Sequence, residues 1–152
     1  MPRTFSQIYI QLVFAVQGRQ NLILKSWEDR LYRYISGIIT GKDQKSIIVN
    51  GMSEHIHVFV GLKPSMKISD LMRDIKNNST NFINDNNLLP GKFNWQDGYG
   101  AFSYSRREMD MVYKYILNQK EHHRKKSFRE EVNDFLKEFE IEFDQKFSFE
   151  FY

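Results

Sequence analysis

The sequence contains no cysteine, and this absence excludes disulfide scaffolds, thiolate zinc sites and cysteine nucleophiles. It also lacks any apolar run of the about 20 residues that a membrane-spanning helix needs. The first residues have neither the basic region nor the apolar segment of a signal peptide. We therefore expect a cytoplasmic protein with no membrane partner.

Acidic side chains are unevenly distributed, although the formal net charge of the 152 residues is only +3. Residues 127–152 hold eight acidic and three basic residues, whereas the rest of the chain holds 11 acidic and 19 basic ones. A basic body attracts phosphate backbones, but charge by itself is weak evidence for nucleic-acid binding. We expect residues 1–126 to form the body of one domain, and residues 127–152 to be an acidic C-terminal helix and tail of that domain.

Hydrophobic periodicity predicts the element order β-α-β-β-α-β followed by helices. Strands are predicted over residues 8–17, 45–50, 54–62 and 93–104, the last with a kink at Gly98 or Gly100. Helices are predicted from a cap at Ser26 to Gly41, from a cap at Ser69 to Asn86, and over residues 106–122 and 127–139. Residues 147–152 read as a short strand or a docked tail. This order is typical of the ferredoxin-like α+β fold, an antiparallel sheet with helices on one face.

Two histidines, His55 and His57, lie in an otherwise apolar strand whose residues 54–62 read EHIHVFVGL. Because side chains alternate along a strand, both imidazoles project from one face and the aliphatic residues fill the other. Two neutral imidazoles on a strand are half of a divalent-metal site. The alternative is a pair of hydrogen-bonded histidines that only pack, and it stays open on this strand alone.

A second polar group is predicted on one face of the helix over residues 106–122. Residues three and four apart share a helix face, so Tyr115, Asn118, Gln119 and His122 form one polar stripe. A phenol, an amide and an imidazole on one side are unusual for core packing. The alternative is a solvated face on which an amphipathic tyrosine lies.

Together the strand and the helix predict a site that cleaves nucleic-acid strands. His55, His57 and the carboxamide oxygen of Gln119 suit Mg²⁺ or Mn²⁺, with positions left for water or a phosphate oxygen. Tyr115, one turn from Gln119, would lie beside the cation and attack a phosphate, which the enzyme would keep as a phosphotyrosine. Tyr113 is the rival nucleophile, but it points about 200° away around the helix.

Three blocks of sequence in this order carry a family resemblance. They are EHIHV (54–58), WQDGYGAFS (95–103) and VYKYILNQ (112–119), the last followed by HHRK (122–125). They resemble the HUH single-tyrosine transposases of the insertion-sequence 200/605 group, including their REP-associated relatives. The resemblance covers residues 5–130.

This resemblance implies that His55, His57 and Gln119 are metal ligands and that Tyr115 is the nucleophile. It further implies a homodimer that cuts and rejoins single-stranded DNA at imperfect hairpins. Such a protein is a metal-dependent endonuclease and strand transferase, with residues 1–126 as its catalytic domain. In such dimers the tyrosine helix of one subunit can complete the histidine site of the other.

Five further side chains are candidates for contacting DNA or supporting the site: His122, Arg124, Lys125, Arg73 and Lys76. His122 shares the Tyr115 face and could orient the phenol or a phosphate, or it could be a solvated residue at a helix end. The others could grip the DNA backbone or a hairpin, or they could simply be solvated surface charges.

Other functions remain open on the sequence. One is a non-catalytic nucleic-acid-binding module on the same fold, with bases stacked on Tyr9, Phe14 and Phe59. A second is a phosphoesterase in which the histidines act with water and Tyr115 is dispensable. A third is a domesticated relative that acts on host repeats and no longer moves.

Overall fold

The computed structural model describes residues 4–141 and contains a four-stranded antiparallel sheet. Its strands are β1 (Tyr9–Ala15), β2 (Lys45–Gly51), β3 (His55–Gly61) and β4 (Gly100–Tyr104). Its helices are α1 (Glu28–Gly41), α2 (Ile68–Asp85), α3 (Met109–Leu117), α4 (Gln119–His122) and α5 (Phe128–Glu138). Two short 3₁₀ turns cover Gln17–Arg19 and Arg106–Glu108.

The strands lie in the order β2-β3-β1-β4, so β1 and β3 are central. This is the ferredoxin-like arrangement that the element order predicts. The register places Ala15 opposite His55 and Val13 opposite His57. Both histidines therefore lie on a strand that is hydrogen-bonded along both edges, where backbone movement is restricted.

One face of the sheet packs against α1 and α2. Alternate residues of β3, namely Ile56, Val58 and Val60, are completely buried there. The two helices present apolar stripes to this face because their hydrophobic residues recur every three or four positions. The stripes are Leu31, Ile35 and Ile39 of α1, and Leu71, Met72, Ile75 and Ile83 of α2.

The other face of the sheet is covered by α3 and α5. Phe128, Val132, Phe135 and Leu136 of α5 pack on β1 and β4, through Val13, Ala15 and Phe102. Val112 and Ile116 of α3 pack on Phe59 of β3. The C-terminal helices thus close the face from which the two histidines project.

Several element boundaries differ from those predicted. The last strand begins only at Gly100, and of the residues before it Trp95 forms a single bridge with Val16. Gly98, where a kink in this strand was one of two predictions, has a φ of +85° but precedes the strand. Neither Ser26 nor Ser69 caps a helix, because α1 and α2 begin after Trp27 and Lys67, without a side-chain cap.

The helix predicted over residues 106–122 is divided into the second 3₁₀ turn, α3 and α4. The segment 147–152 lies outside the described residues. Among residues 4–141, no helix has the length and apolar character required to cross a bilayer.

Candidate functional site

The site begins with the two histidines of β3, whose side chains are completely buried. Their ring centroids are 5.1 Å apart, with the planes nearly perpendicular. Phe128 of α5 stacks on His55 at 4.0 Å, which restricts the rotation of that ring. Strand alternation and the covering helix therefore hold both imidazoles in place.

Gln11 of β1 fixes the orientation of His57. Its side-chain oxygen lies 2.7 Å from Nδ1 of His57, while its amide nitrogen donates to the hydroxyl of Tyr104 at 3.0 Å. Because the amide oxygen can only accept, Nδ1 of His57 carries the hydrogen and donates it. Nε2 of His57 is then the nitrogen that faces the centre of the site.

A buried carboxylate, Glu131 of α5, occupies that centre and is only 2% exposed. Its Oε1 lies 3.1 Å from Nε2 of His57, 3.1 Å from Nε2 of His123 and 3.4 Å from Nε2 of His55. Ser127 caps the start of α5, and its side chain and that of Glu130 each accept a hydrogen bond from the other residue's backbone N–H. These bonds stabilise the first turn of the helix, and Glu131 follows Glu130 directly. The helix start thus determines where this carboxylate lies.

Tyr115 and Gln119 reach the other oxygen of the same carboxylate. The Tyr115 hydroxyl donates to Oε2 of Glu131, and the Gln119 amide nitrogen donates to Oε2 at 3.0 Å. The side-chain oxygen of Gln119 lies 3.2 Å from Nε2 of His55. The structure therefore brings the two predicted halves of the site together within one chain.

The helix is interrupted between Tyr115 and Gln119, at Asn118. Asn50 of β2 donates its side-chain amide to the carbonyl oxygens of Ile116 and Leu117, at 2.9 and 3.2 Å. These hydrogen bonds satisfy carbonyls at the end of α3, which a helix end otherwise leaves without partners. The interaction ties the junction of α3 and α4 to the sheet.

The electrostatics of the centre follow from its burial. Burial raises the pKa of the Glu131 carboxyl, but the charge of His57 and hydrogen bonds from His123, His55 and His57 outweigh it and hold that pKa well below its usual range. Burial, reinforced by the charge of Glu131, raises the pKa of Tyr115 far above its usual value. The carboxylate is therefore ionised at neutral pH and the phenol keeps its proton.

The donor atoms at the centre fit a divalent cation. The ligand atoms of His55, His57, His123 and Glu131 all lie within 4.8 Å of one another. The carboxamide oxygen of Gln119 faces the same space. Imidazole nitrogens combined with carboxylate and amide oxygens suit borderline cations such as Mn²⁺, and the oxygens also suit Mg²⁺.

Two recesses lead from solvent to Tyr115. A cavity of about 260 Å³ contains the phenol, Glu131 and His122 on its wall, and a wider cleft of about 700 Å³ lies outside it. Lys114, Lys125 and Lys126 lie along the cleft together with Glu121, and Lys126 is paired with Asp134. Cations outnumber anions among the lining residues, so the cleft attracts an anionic ligand.

The sequence profile described as "Transposase IS200 like" matches residues 4–119. The chain belongs to this family. The match includes His55, His57, Tyr115 and Gln119, and it ends before α5. No curated protein sequence gives a significant match.

Two solved structures have the same fold as this transposase-family chain. One is a protein of Deinococcus radiodurans R1 predicted to be a transposase, with a TM-score of 0.64 and 19% identity over 78% of this chain and 95% of its own. The other is a REP-associated tyrosine transposase bound to a REP hairpin, with a TM-score of 0.60 and 16% identity over 81% of this chain and 73% of its own. At such identities these likenesses establish the fold alone.

Within this family member, His122 is the one of the five further candidates that lies beside the phenol. Its Nε2 is 3.4 Å from the Tyr115 hydroxyl. Lys125 lines the cleft outside, and Arg124 is exposed and paired with Glu121 at 3.5 Å. The rival nucleophile Tyr113 is 39% exposed on the outer side of α3.

Arg73 and Lys76 lie on α2, on the opposite side of the sheet from Tyr115. Arg73 is exposed and 3.4 Å from both Asp70 and Asp74. Lys76 donates to the carbonyls of Gln96 and Gly98, at 2.8 and 2.7 Å. The structure does not bring these two side chains to the histidine site.

Of the three rings considered for base stacking, Phe14 and Phe59 are buried and Tyr9 is partly exposed. Phe14 is 1% exposed and is covered by α2 and Trp95. Phe59 is 0% exposed and is covered by α3. A binding module that stacks bases on these two rings is therefore inconsistent with the structure.

Sequence reasoning missed Gln11, His123 and Glu131. His123 lies in the basic run HHRK (122–125), whose composition is typical of a surface, but its side chain is 5% exposed and contacts Glu131. A signal for Glu131 exists, because it lies three residues after Phe128 and four before Phe135, on the buried stripe of α5. A carboxylate on an apolar stripe indicates a buried polar partner.

Proposed function

We propose that this chain is a metal-dependent single-strand DNA endonuclease and strand transferase with Tyr115 as its nucleophile. Membership of the family supports a transposase role. The observation that carries the finer proposal is the meeting of the Tyr115 phenol with His55, His57 and Gln119 around one carboxylate. We further propose that residues 1–126 and the acidic segment act as one domain, since α5 packs on the sheet.

His55, His57 and Gln119 would hold Mg²⁺ or Mn²⁺ in this proposal. Bound there, the cation would polarise the scissile phosphate and stabilise the departing 3′ oxygen. The support is the direction of the donor atoms, since Nε2 of both imidazoles and the oxygen of Gln119 face one space.

The phenolic oxygen of Tyr115 forms the new bond to phosphorus, and the bond from phosphorus to the 3′ oxygen breaks. The 5′ phosphate stays on the protein, and the departing strand takes up a proton as a 3′ hydroxyl. The phenol proton passes to Nε2 of His122, 3.4 Å away, since the pKa of the Glu131 carboxyl lies well below its usual range. Attack by a 3′ hydroxyl on the phosphotyrosine reverses these bond changes and reseals DNA without ATP.

The proposed partner is single-stranded DNA that carries imperfect hairpins. The basic cleft outside Tyr115 would accept the strand beside the scissile phosphate. The hairpin preference rests on likeness, because one structural relative is bound to a REP hairpin. We also propose a homodimer, although the described residues of one chain already bring tyrosine and histidines together.

Replacing Tyr115 by Phe tests the proposal. Tyr115→Phe removes only the hydroxyl, so covalent protein–DNA adducts are expected to disappear while hairpin binding stays nearly intact. The measurement is a denaturing gel with labelled single-stranded substrate, alongside a binding assay under native conditions.

Tyr113→Phe is the matched control, because it removes a hydroxyl from an exposed tyrosine two residues away. It should leave the adduct unchanged. An undiminished adduct in Tyr115→Phe would move the nucleophile elsewhere, and cleavage without any adduct would favour a hydrolase that uses water.

A further inference from the structure

The carboxylate of Glu131 lies outside the segment that the family profile matches, yet it contacts the three predicted metal ligands and the predicted nucleophile. Its two oxygens have different neighbours. Oε1 faces three imidazoles, and Oε2 accepts hydrogen bonds from Tyr115 and Gln119. A residue that only filled space would not need a fully buried charge here.

The hydrogen bonds of His57 are inconsistent with a centre that carries no positive charge. Nδ1 of His57 donates to Gln11, so Nε2 of neutral His57 presents a lone pair to Oε1 at 3.1 Å. Two acceptors at this separation repel each other unless a positive charge, either a proton on Nε2 or a metal ion, lies between them.

His55, the other histidine of β3, also directs a lone pair at an acceptor when it is neutral. Nε2 of His55 faces two oxygens, of Gln119 at 3.2 Å and of Glu131 at 3.4 Å. Its Nδ1 has no hydrogen-bond partner and lies 3.6 Å from the Glu54 carboxylate. Whichever nitrogen carries the proton of neutral His55, the other directs a lone pair at an acceptor. The centre is thus built around a positive charge.

A divalent cation at this buried centre would need an anion beside it, and the Glu131 carboxylate is placed to supply that charge. His55, His57 and Gln119 are neutral ligands, and all three are completely buried. A dication held by them alone would keep its full charge in a low-dielectric interior, which is unfavourable. Glu131 is the anion nearest to the converging nitrogens among the described residues, and a carboxylate oxygen is a preferred ligand for Mn²⁺ and Mg²⁺.

We propose that Glu131 is the anionic fourth ligand of the metal centre and that its second oxygen holds the Tyr115 phenol beside the metal. The inference rests on the proposed function and adds to it a residue of α5. Oε1 binds the cation together with the nitrogens of His55 and His57. Oε2 remains the acceptor for the phenol.

Mn²⁺ binding to the full chain tests this inference directly. Glu131→Gln keeps the shape of the side chain and removes its charge, so Mn²⁺ affinity measured by calorimetry should fall about 10- to 100-fold. Mn²⁺ should also raise the thermal midpoint of unfolding less in this variant than in the wild type, because the stabilisation by a bound ligand depends on its affinity. A residue with a purely structural role would lower the midpoint of the metal-free protein and leave the rise intact.

Glu130→Gln is the matched control, since it removes the same charge one residue away at an exposed position. Glutamine still serves the capping position, so α5 and the Mn²⁺ affinity should be unchanged. If Glu131→Gln does not fold, Glu131→Asp replaces it, because the charge stays while the oxygens withdraw by one methylene, and Mn²⁺ affinity should again fall.

The outcomes separate the two proposals. A wild-type chain that binds no Mn²⁺ contradicts the metal centre of the proposed function. A wild-type chain that binds Mn²⁺, with Glu131→Gln binding equally well or more tightly, overturns only the inference about Glu131.

Discussion

Strand β3 contributes Ile56, Val58 and Val60 to one face of the sheet and His55 and His57 to the other, and all five are completely buried. The apolar face is stabilised by packing against α1 and α2, without any requirement for polar partners. The histidine face buries nitrogen and oxygen atoms that need partners, and α3, α4 and α5 supply them. Equal burial therefore reflects hydrophobic packing on one face and a cluster of interacting polar side chains on the other.

The largest expected effect on stability comes from the apolar face. Ile56→Ala removes a completely buried side chain in the main core, so the free energy of unfolding should fall by about 2–5 kcal/mol. Urea denaturation followed by circular dichroism measures it.

His57→Ala, one residue away on the same strand, is the comparison. The chain should still fold, since Glu131 keeps contacts with His55, His123 and Gln119, but metal-dependent cleavage should be lost. If His57→Ala unfolded the protein as readily as Ile56→Ala, the two faces would not differ in the way described.

An intermediate effect is expected at the junction of α3 and α4. Asn50→Ala removes the hydrogen bonds to the carbonyls of Ile116 and Leu117, which should lower the free energy of unfolding by about 1 kcal/mol. Cleavage should slow as well, because Tyr115 and Gln119 lie on opposite sides of this junction. Denaturation curves and single-turnover cleavage rates measure the two effects.

Asn81→Ala, at an exposed position of α2, is the control and should change neither quantity. Normal cleavage by Asn50→Ala would mean that the helices keep the junction in place without the sheet.

The smallest effects concern surface charge. Lys125→Ala removes a cation beside the Tyr115 cleft, so an unstructured oligonucleotide should bind more weakly. The slope of log affinity against log salt should become shallower by about 0.7, the contribution of one phosphate contact on a single strand. Fluorescence anisotropy at several salt concentrations measures both.

Arg73→Ala, on the far side of the sheet and paired with Asp70 and Asp74, should not change binding of that oligonucleotide. A hairpin oligonucleotide tests the separate prediction that Arg73 and Lys76 contact a hairpin. Weaker binding of the unstructured strand by Arg73→Ala, with Lys125→Ala unaffected, would place the strand on the α2 side.

The sequence was sufficient to predict the sheet and to select four side chains that the structure brings together, whose roles in a site stay a prediction. Alternation along β3 depends only on strand geometry, and it separates His55 and His57 from their aliphatic neighbours. Helical spacing likewise relates Tyr115 to Gln119. These local rules, with the element order, predict the ferredoxin-like topology that the structure contains.

What could not be predicted depends on contacts between distant segments. The spacing of residues 106–122 predicts one continuous helix, but the structure breaks this helix after Leu117. Asn50, which is far away in sequence, donates hydrogen bonds to the carbonyls at that break. The roles of Gln11 and Glu131 arise in the same way, because β1 and α5 reach the histidines only after the sheet has formed. The cap positions at Ser26 and Ser69 were wrong since Trp27 and Lys67 precede the helices.

The packing of α5 has a practical consequence for anyone who shortens the chain. A fragment that stops at residue 126 would keep every motif residue, yet Val13, Ala15 and Phe102 would lose the helix that shields them. Adjacent strands with unshielded apolar side chains are prone to self-association. Such a fragment would precipitate rather than report on DNA cleavage, so an inactive truncation would say nothing about the chemistry of the motif.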